Sequence, residues 1–201
     1  MLKTEIQSIH ELIVQRRSIR AFSEKSIEKE TLLQLFEAAR WAPSSRNEQP
    51  WRFIAARKED VNSFQRMLSG LNENNKLWAQ QSAALIMVLA QSNFSGALQH
   101  HENEHAWFDA GLAVANMTLQ ATALNLFMRQ MGGFNAEQAK KEFSIPDTYE
   151  PIIIIALGYQ GEVTSLPENL QERESRPRHR KELSELIYSD RFGAESNLLK
   201  I

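Results

Sequence analysis

Two short arginine clusters and one stiff polar loop hold the side chains best suited to chemistry. Arg16-Arg17-Ser18-Ile19-Arg20 packs three guanidiniums and a hydroxyl into five residues. In an extended segment, positions 16, 18 and 20 fall on one side, so Arg16, Ser18 and Arg20 can converge on a single ligand. Guanidinium forks match the oxygens of a phosphate two at a time. For such a cluster standing alone, a solvated basic patch is the alternative. A second cluster, Arg176-Pro177-Arg178-His179-Arg180-Lys181, stands near the other end of the chain. One phosphate gripped from both segments would account for the pair. Nucleic acid is the weaker reading, because 23 Lys+Arg against 25 Asp+Glu leave a formal charge of -2. The third segment is Pro43-Ser44-Ser45-Arg46-Asn47-Glu48-Gln49-Pro50-Trp51. Its Ser44, Ser45, Asn47 and Gln49 offer hydroxyls and carboxamides that can read a polar heterocycle, in a frame stiffened by Pro43, Pro50 and Trp51. The competing reading is a plain turn whose serines cap local backbone.

A further motif carries residue types that can ligate a metal. His101-Glu102-Asn103-Glu104-His105 formally matches H-E-x-x-H, in which two histidines one helical turn apart hold zinc beside a glutamate general base. A zinc site also needs a third ligand. No glycine-histidine extension follows His105, and the next glutamate is Glu137, beyond a long apolar stretch. The match reads as chance at a solvated helix start, with His100, His101 and His105 facing solvent or lining a pocket mouth. A zinc metalloprotease stays as the remote alternative.

The elements that must position these groups follow from periodicity and breakers. A short helix is expected over Ser8–Gln15, with Ile9, Leu12 and Ile13 on one face. A second starts from Ser26 as N-cap, with Glu28 and Glu30 at its positive end, and runs to about Trp41 before Pro43 stops it. Trp51–Ala56 reads as a strand, Glu59–Leu68 as a helix and Ala83–Ala90 as a buried strand. Ala106–Leu126 is apolar almost all round and is therefore expected to be buried on every side. Asn125 is expected in the left-handed position that ends it. Phe127–Met131 reads as a strand, Asn135 as the cap of a helix through Phe143, and Ile152–Leu157 as a strong strand. The tail from Glu162 to Lys181 is polar and basic, followed by a short helix over Glu182–Tyr188. Helices and strands in this order make one α+β domain with a small central sheet.

Composition removes whole classes of function. The 201 residues are 42% hydrophobic and 24% charged, ordinary for a globular domain with a sizeable core. With no cysteine there is no disulfide, no thiolate zinc site and no cysteine nucleophile. A reducing, cytoplasmic setting is the expectation. The longest apolar run, Ala83 to Ala90, is far short of the ~20 residues of a membrane helix. Neither a signal-peptide pattern nor a G-x-G-x-x-G dinucleotide fingerprint is visible.

Arg16-Arg17-Ser18-Ile19-Arg20-Ala21-Phe22, Ala42-Pro43-Ser44-Ser45-Arg46-Asn47-Glu48-Gln49-Pro50-Trp51-Arg52-Phe53, Trp107-Phe108-Asp109-Ala110-Gly111 and Ala156-Leu157-Gly158-Tyr159 look like the nitroreductase family of flavoenzymes, in order and at suitable spacing. The resemblance implies a nitroreductase-like α+β fold, a mostly antiparallel central sheet surrounded by helices, in an interlocked homodimer with flavin sites at the interface. It implies a single FMN-binding domain over 1–201, whose tail, 162–201, closes on the flavin phosphate and the partner subunit. Arg16 and Ser18, with Arg17 between them, match the positions that hold the phosphate and ribityl chain. Arg20 matches the cation at the pyrimidine edge, where it would stabilise the charge of the reduced ring. Pro43, Ser44, Ser45 and Asn47 match the loop that reaches the flavin from the partner, with Gln49 beside it. Gly132 and Gly133 match the segment passing the ring, where a backbone N–H can reach N5. Arg178 and Arg180 match the C-terminal pair that closes on the phosphate. Many relatives carry an acidic residue before the flavin-facing glycine, and this chain has Gly132-Gly133. Asn74 and Lys76 are both candidates for a second group at the pyrimidine edge. The implied activity is transfer of hydride from NADH or NADPH to flavin N5 and on to a nitroaromatic, quinone or similar small molecule, in ping-pong order. No protein nucleophile or general base is required for it. A non-catalytic FMN-binding or flavin-sensing protein of the same fold is the alternative.

Overall fold

The computed structural model describes residues 9–93 and 102–199. Its centre is a four-stranded sheet in the order β1-β2-β4-β3, antiparallel throughout. The strands are β1 (Trp51–Arg57), β2 (Ala84–Gln91), β3 (Phe127–Met131) and β4 (Tyr149–Gly158). β2 is apolar along nearly its whole length because both of its faces are covered. Side chains alternate across a strand. Ile86, Val88 and Ala90 accordingly join one core cluster, with Leu35 and Ala39 of α2 (Lys29–Arg40) and Ala113 and Met117 of α5 (Ala106–Ala123). Leu85, Met87 and Leu89 join another, with Phe64 and Met67 of α3 (Val61–Ser69), Trp78 of α4 (Glu73–Ala79) and Ala139 of α6 (Ala136–Glu142). The result is three layers, helices on both faces of one sheet.

Several boundaries differ from those the sequence predicts. Ser26 is exposed and caps nothing; α2 begins at Lys29 after Glu28, whose side chain makes no capping bond, and buried Ile27 anchors the approach. β4 starts three residues before Ile152. Proline cannot donate to a ladder. Pro151 is tolerated because β3 pairs only with Ile154–Gly158 and because the β2–β4 register slips between Val88 and Leu89, passing over Ile152. α4 and α7 (Glu168–Ser175) are helices where the sequence reading expects none. α4 is asparagine-rich and starts from Asn72, whose side chain accepts from the N–H of Asn75. α7 buries only Leu170, too little for a helical period to show. The helix expected over Glu182–Tyr188 is a single 3-10 turn, Leu183–Glu185. α5 is not buried on every side in the chain: Trp107 and Phe108 are 62% and 69% exposed in its first turn, because sheet and α2 cover only its other faces. Asn125 does take the left-handed conformation, with φ 56°.

The N-terminal arm is fastened to the end of β4. Ser23 N donates to Tyr159 O and Gly161 N to Ala21 O, at 2.9 and 2.8 Å. The approach is so close that a Cβ on Gly161 would lie 2.5 Å from Phe22 O. Phe22 then stacks on Trp78 at 6.3 Å between ring centres. This docking fixes where residues 16–20 emerge.

Candidate functional site

The two arginine clusters meet. After α1 (Glu11–Gln15) the chain leaves the helix, and buried Ile19 anchors it while Arg16, Arg17, Ser18 and Arg20 face outward into a cleft of about 240 Å³. Arg173, Arg176, Arg178 and Arg180 line the same cleft from the other end of the chain. The structure adds Arg129 from edge strand β3, which no motif in the sequence singles out. Eight arginines thus surround one cleft, and Glu174 is the sole carboxylate lining it among the described residues.

These guanidiniums have different tasks. Arg178 donates through Nη1 to Arg16 O and through Nη2 to Val14 O, at 2.7 and 2.6 Å, tying the tail to the N-terminal arm. Arg129 donates to Ser18 O at 2.6 Å and lies over the Trp78 ring. Burial and the neighbouring charge of Arg20 push the Arg129 pKa down to about 10. Arg20 is clamped by Glu174, and Arg176 is paired with Glu172. Arg180 donates to His179 O at 2.7 Å. Arg16 reaches Ser18 Oγ at 2.9 Å, so positions 16 and 18 do share a side. Its pKa is lowered by burial and by the positive charges of Arg178, Arg180 and Arg17. Like charges crowded into partial burial are costly unless an anion joins them.

The loop after α2 is held in an unusual backbone. Arg46, Asn47 and Gln49 all have positive φ, at 53°, 56° and 48°. For residues with a Cβ this conformation is costly and needs fixing from outside. Ser44 Oγ accepts from Gln49 N at 2.9 Å, and Asp109 Oδ2 accepts from Ser45 N at 3.0 Å. Asp109 is 3% exposed on the first turn of α5, a structural role for the Trp107–Gly111 motif that the sequence alone does not reveal. Pro43, Ser44 and Ser45 line a depression of about 420 Å³ with His105, Phe108, Asp109 and Leu112. Asn47 is exposed and Gln49 half-buried beside it.

Gly132 and Gly133 follow β3 directly. Gly133 lines a third cavity, about 730 Å³, with Asn72, Lys76, Phe134 and Asn135. Asn72 N donates to Gly133 O at 2.9 Å, and a Cβ on Gly133 would lie 2.2 Å from Asn72 Nδ2. Of the two candidates left open by sequence, Lys76 lines this cavity and Asn74 does not.

Within one chain these parts are not one site. The loop precedes Trp51 on edge strand β1, and Arg129 sits on the opposite edge strand in the row of Ala156, Leu85 and Ala56. That is three strand spacings across the sheet and five residues along it, about 20 Å in all.

His100, and His101 of the H-E-x-x-H stretch, lie outside the described residues. Glu102 bridges to Asn93, and the helix begins only at Ala106, so Glu102–His105 is not the helical turn that the zinc motif requires. No described helix is long and apolar enough to cross a membrane.

Residues 13–159 match the nitroreductase family profile. A crystal structure described as an oxidoreductase containing FMN superposes with a TM-score of 0.89 over 96% of each chain, at 31% identity. A nitroreductase family protein from Clostridium difficile 630 gives 0.68 at 28% identity, over 90% of this chain and 97% of that one. A protein of Archaeoglobus fulgidus, provisionally named an NADH dehydrogenase/NAD(P)H nitroreductase, is 28% identical over 152 residues, 74% of this chain and 83% of its own. A match spanning most of the chain, together with an antiparallel sheet between two helical layers, makes this chain a member of the nitroreductase family.

Proposed function

We propose that the protein is a cytoplasmic, FMN-dependent oxidoreductase that draws hydride from NADH or NADPH and delivers it to a small acceptor, such as a nitroaromatic or a quinone. The observation that carries this reading is the convergence of arginines from both ends of the chain on one cleft with a single carboxylate among its lining residues. The FMN named for a similar structure and the NAD(P)H named for a similar sequence support it.

The residues suit the cofactor. A phosphate monoester brings up to two negative charges, which would offset the crowding of half-buried Arg16 by Arg17, Arg178 and Arg180. Ser18 Oγ already accepts from Arg16, which leaves its O–H free to donate. Gly132 and Gly133 lie three and four residues beyond Arg129, just past the end of the edge strand and about 10 Å from the cleft, where main chain without a side chain can pass a flat ring. When bound, FMN would supply reversible two-electron chemistry at N5 between the nicotinamide and the acceptor. Arg20 supplies a fixed cation for the pyrimidine edge.

The loop over Pro43–Gln49 belongs to the same reading only if a second copy supplies it, since its own cleft is about 20 Å away. Exposed Trp41, Trp107, Phe108 and Phe192 offer apolar surface for such an interface. We therefore expect a homodimer by light scattering. A monomer that binds FMN at full strength would refute the shared site.

The central test is direct. Purified protein should be yellow or take up FMN when it is offered, and should bind riboflavin, which lacks the phosphate, far more weakly. Anaerobic NADH or NADPH should then bleach the flavin absorbance. Protein that takes up no FMN defeats the reading; bound FMN that neither nucleotide bleaches leaves a carrier of the same fold. Arg20→Leu should lower the FMN midpoint potential more than it lowers affinity, as followed by dye-coupled reduction, because the substitution removes a cation and strands Glu174.

A further inference from the structure

Among the described residues, Glu174 is the single negative charge lining a cleft of eight arginines, and it is aimed at one of them. Its Oε1 accepts from Arg20 N at 2.6 Å and its Oε2 from Arg20 Nη1 at 3.2 Å. Both side chains are largely buried, at 17% exposure for Arg20 and 9% for Glu174. The clamp is held from behind. Leu170 anchors α7 in the core, and Gln171 Nε2 donates to Leu166 O at 2.8 Å, so the last turn that carries Glu174 cannot swing freely. An anion-binding cleft gains nothing in raw affinity from a buried carboxylate. Two contacts to one arginine, one to its main chain and one to its guanidinium, make sense if that arginine has to be placed and its charge tempered.

The geometry points to Glu174 as the positioning residue of Arg20 and the counter-charge that sets how strongly the site favours a reduced, negatively charged ligand over its neutral oxidised form. This rests on the FMN reading of the cleft. Glu174 touches Arg20, not the reacting atoms, and works through it. Removing its charge while keeping its shape can still hold the Arg20 main chain through one oxygen, while the Arg20 guanidinium loses its acceptor and its counter-charge together. Reduced FMN then gains more than oxidised FMN, because only the reduced ring carries extra negative charge.

The experiment is Glu174→Gln in the full chain. A carboxamide oxygen can still accept from Arg20 N, so the arm stays docked. We expect FMN to bind at least as tightly as in the parent, by fluorescence titration. We also expect the reduced form to gain about tenfold over the oxidised form, which raises the two-electron midpoint potential by about 30 mV. Glu174→Asp keeps the charge but is one methylene shorter; it should loosen FMN and leave the potential unraised. A merely structural glutamate would lose affinity in both variants and raise the potential in neither, and that outcome overturns the inference. Should the glutamine variant not fold, Glu174→Ala removes the charge together with both contacts to Arg20; a raised potential in its FMN-loaded form still supports the counter-charge role, and an unraised one overturns it. The two readings fail separately: a parent that takes up no FMN defeats the function, and an FMN-loaded parent whose potential the neutral variants leave unchanged defeats this role alone.

Discussion

Trp78→Ala should cost about 3–5 kcal/mol of folding stability, the range for emptying the site of a fully buried large aromatic. Trp78 is 1% exposed on α4. It packs in the cluster that contains Phe64, Met67 and Leu85, with Phe22 stacked against it. A loss of that size is a large share of the roughly 5–15 kcal/mol that holds an ordinary domain together. The damage should not stay in the core. Phe22 belongs to the arm that carries Arg16–Arg20, and the Arg129 guanidinium lies over the same ring while donating to Ser18 O. Urea unfolding should show a lower midpoint, and FMN uptake should weaken in the fraction that remains folded. Trp78→Phe keeps an aromatic face for both neighbours and should lose less of each. A cavity variant with undiminished FMN binding would separate the core from the cleft.

Arg16→Ala should weaken FMN retention by about 1–3 kcal/mol, roughly 5- to 150-fold in Kd, as expected when a charge-assisted contact is lost from a partly buried site. The sign of the accompanying stability change is the sharper test. In the free protein the Arg16 charge is held against Arg178, Arg180 and Arg17, with burial opposing it. Removing it relieves repulsion, while its backbone carbonyl, which accepts from Arg178, remains. Without ligand the variant should therefore melt at the parent temperature or above. With FMN the parent should gain more, because a ligand that binds only the folded state stabilises it in proportion to RT ln(1 + [L]/Kd). A variant that melts lower without ligand yet binds FMN normally would make Arg16 a structural residue.

The parts of this protein that depend on repeating pattern or on local chemistry are legible in its residues. Strand β2 and helix α5 announce themselves by apolar runs, α6 by Asn135, and the end of α5 by Asn125. Two arginine clusters and a Ser/Asn/Gln loop suffice to suggest an anionic ligand with a polar heterocycle and, through their resemblance, a family. How those groups are paired emerges only with the folded chain. Arg178 points to Val14 and Arg16 carbonyls, Arg129 arrives from an edge strand, and Glu174 comes from a helix with one buried apolar residue. Asp109 looks like part of an apolar helix until Ser45 N is seen against it. The reason is physical. Hydrophobic burial repeats along an element and leaves a period to be read, whereas a polar side chain takes whichever partner the chain's long-range path brings within about 3 Å. Residues 16 and 178 become neighbours only once the sheet and its two helical layers have closed.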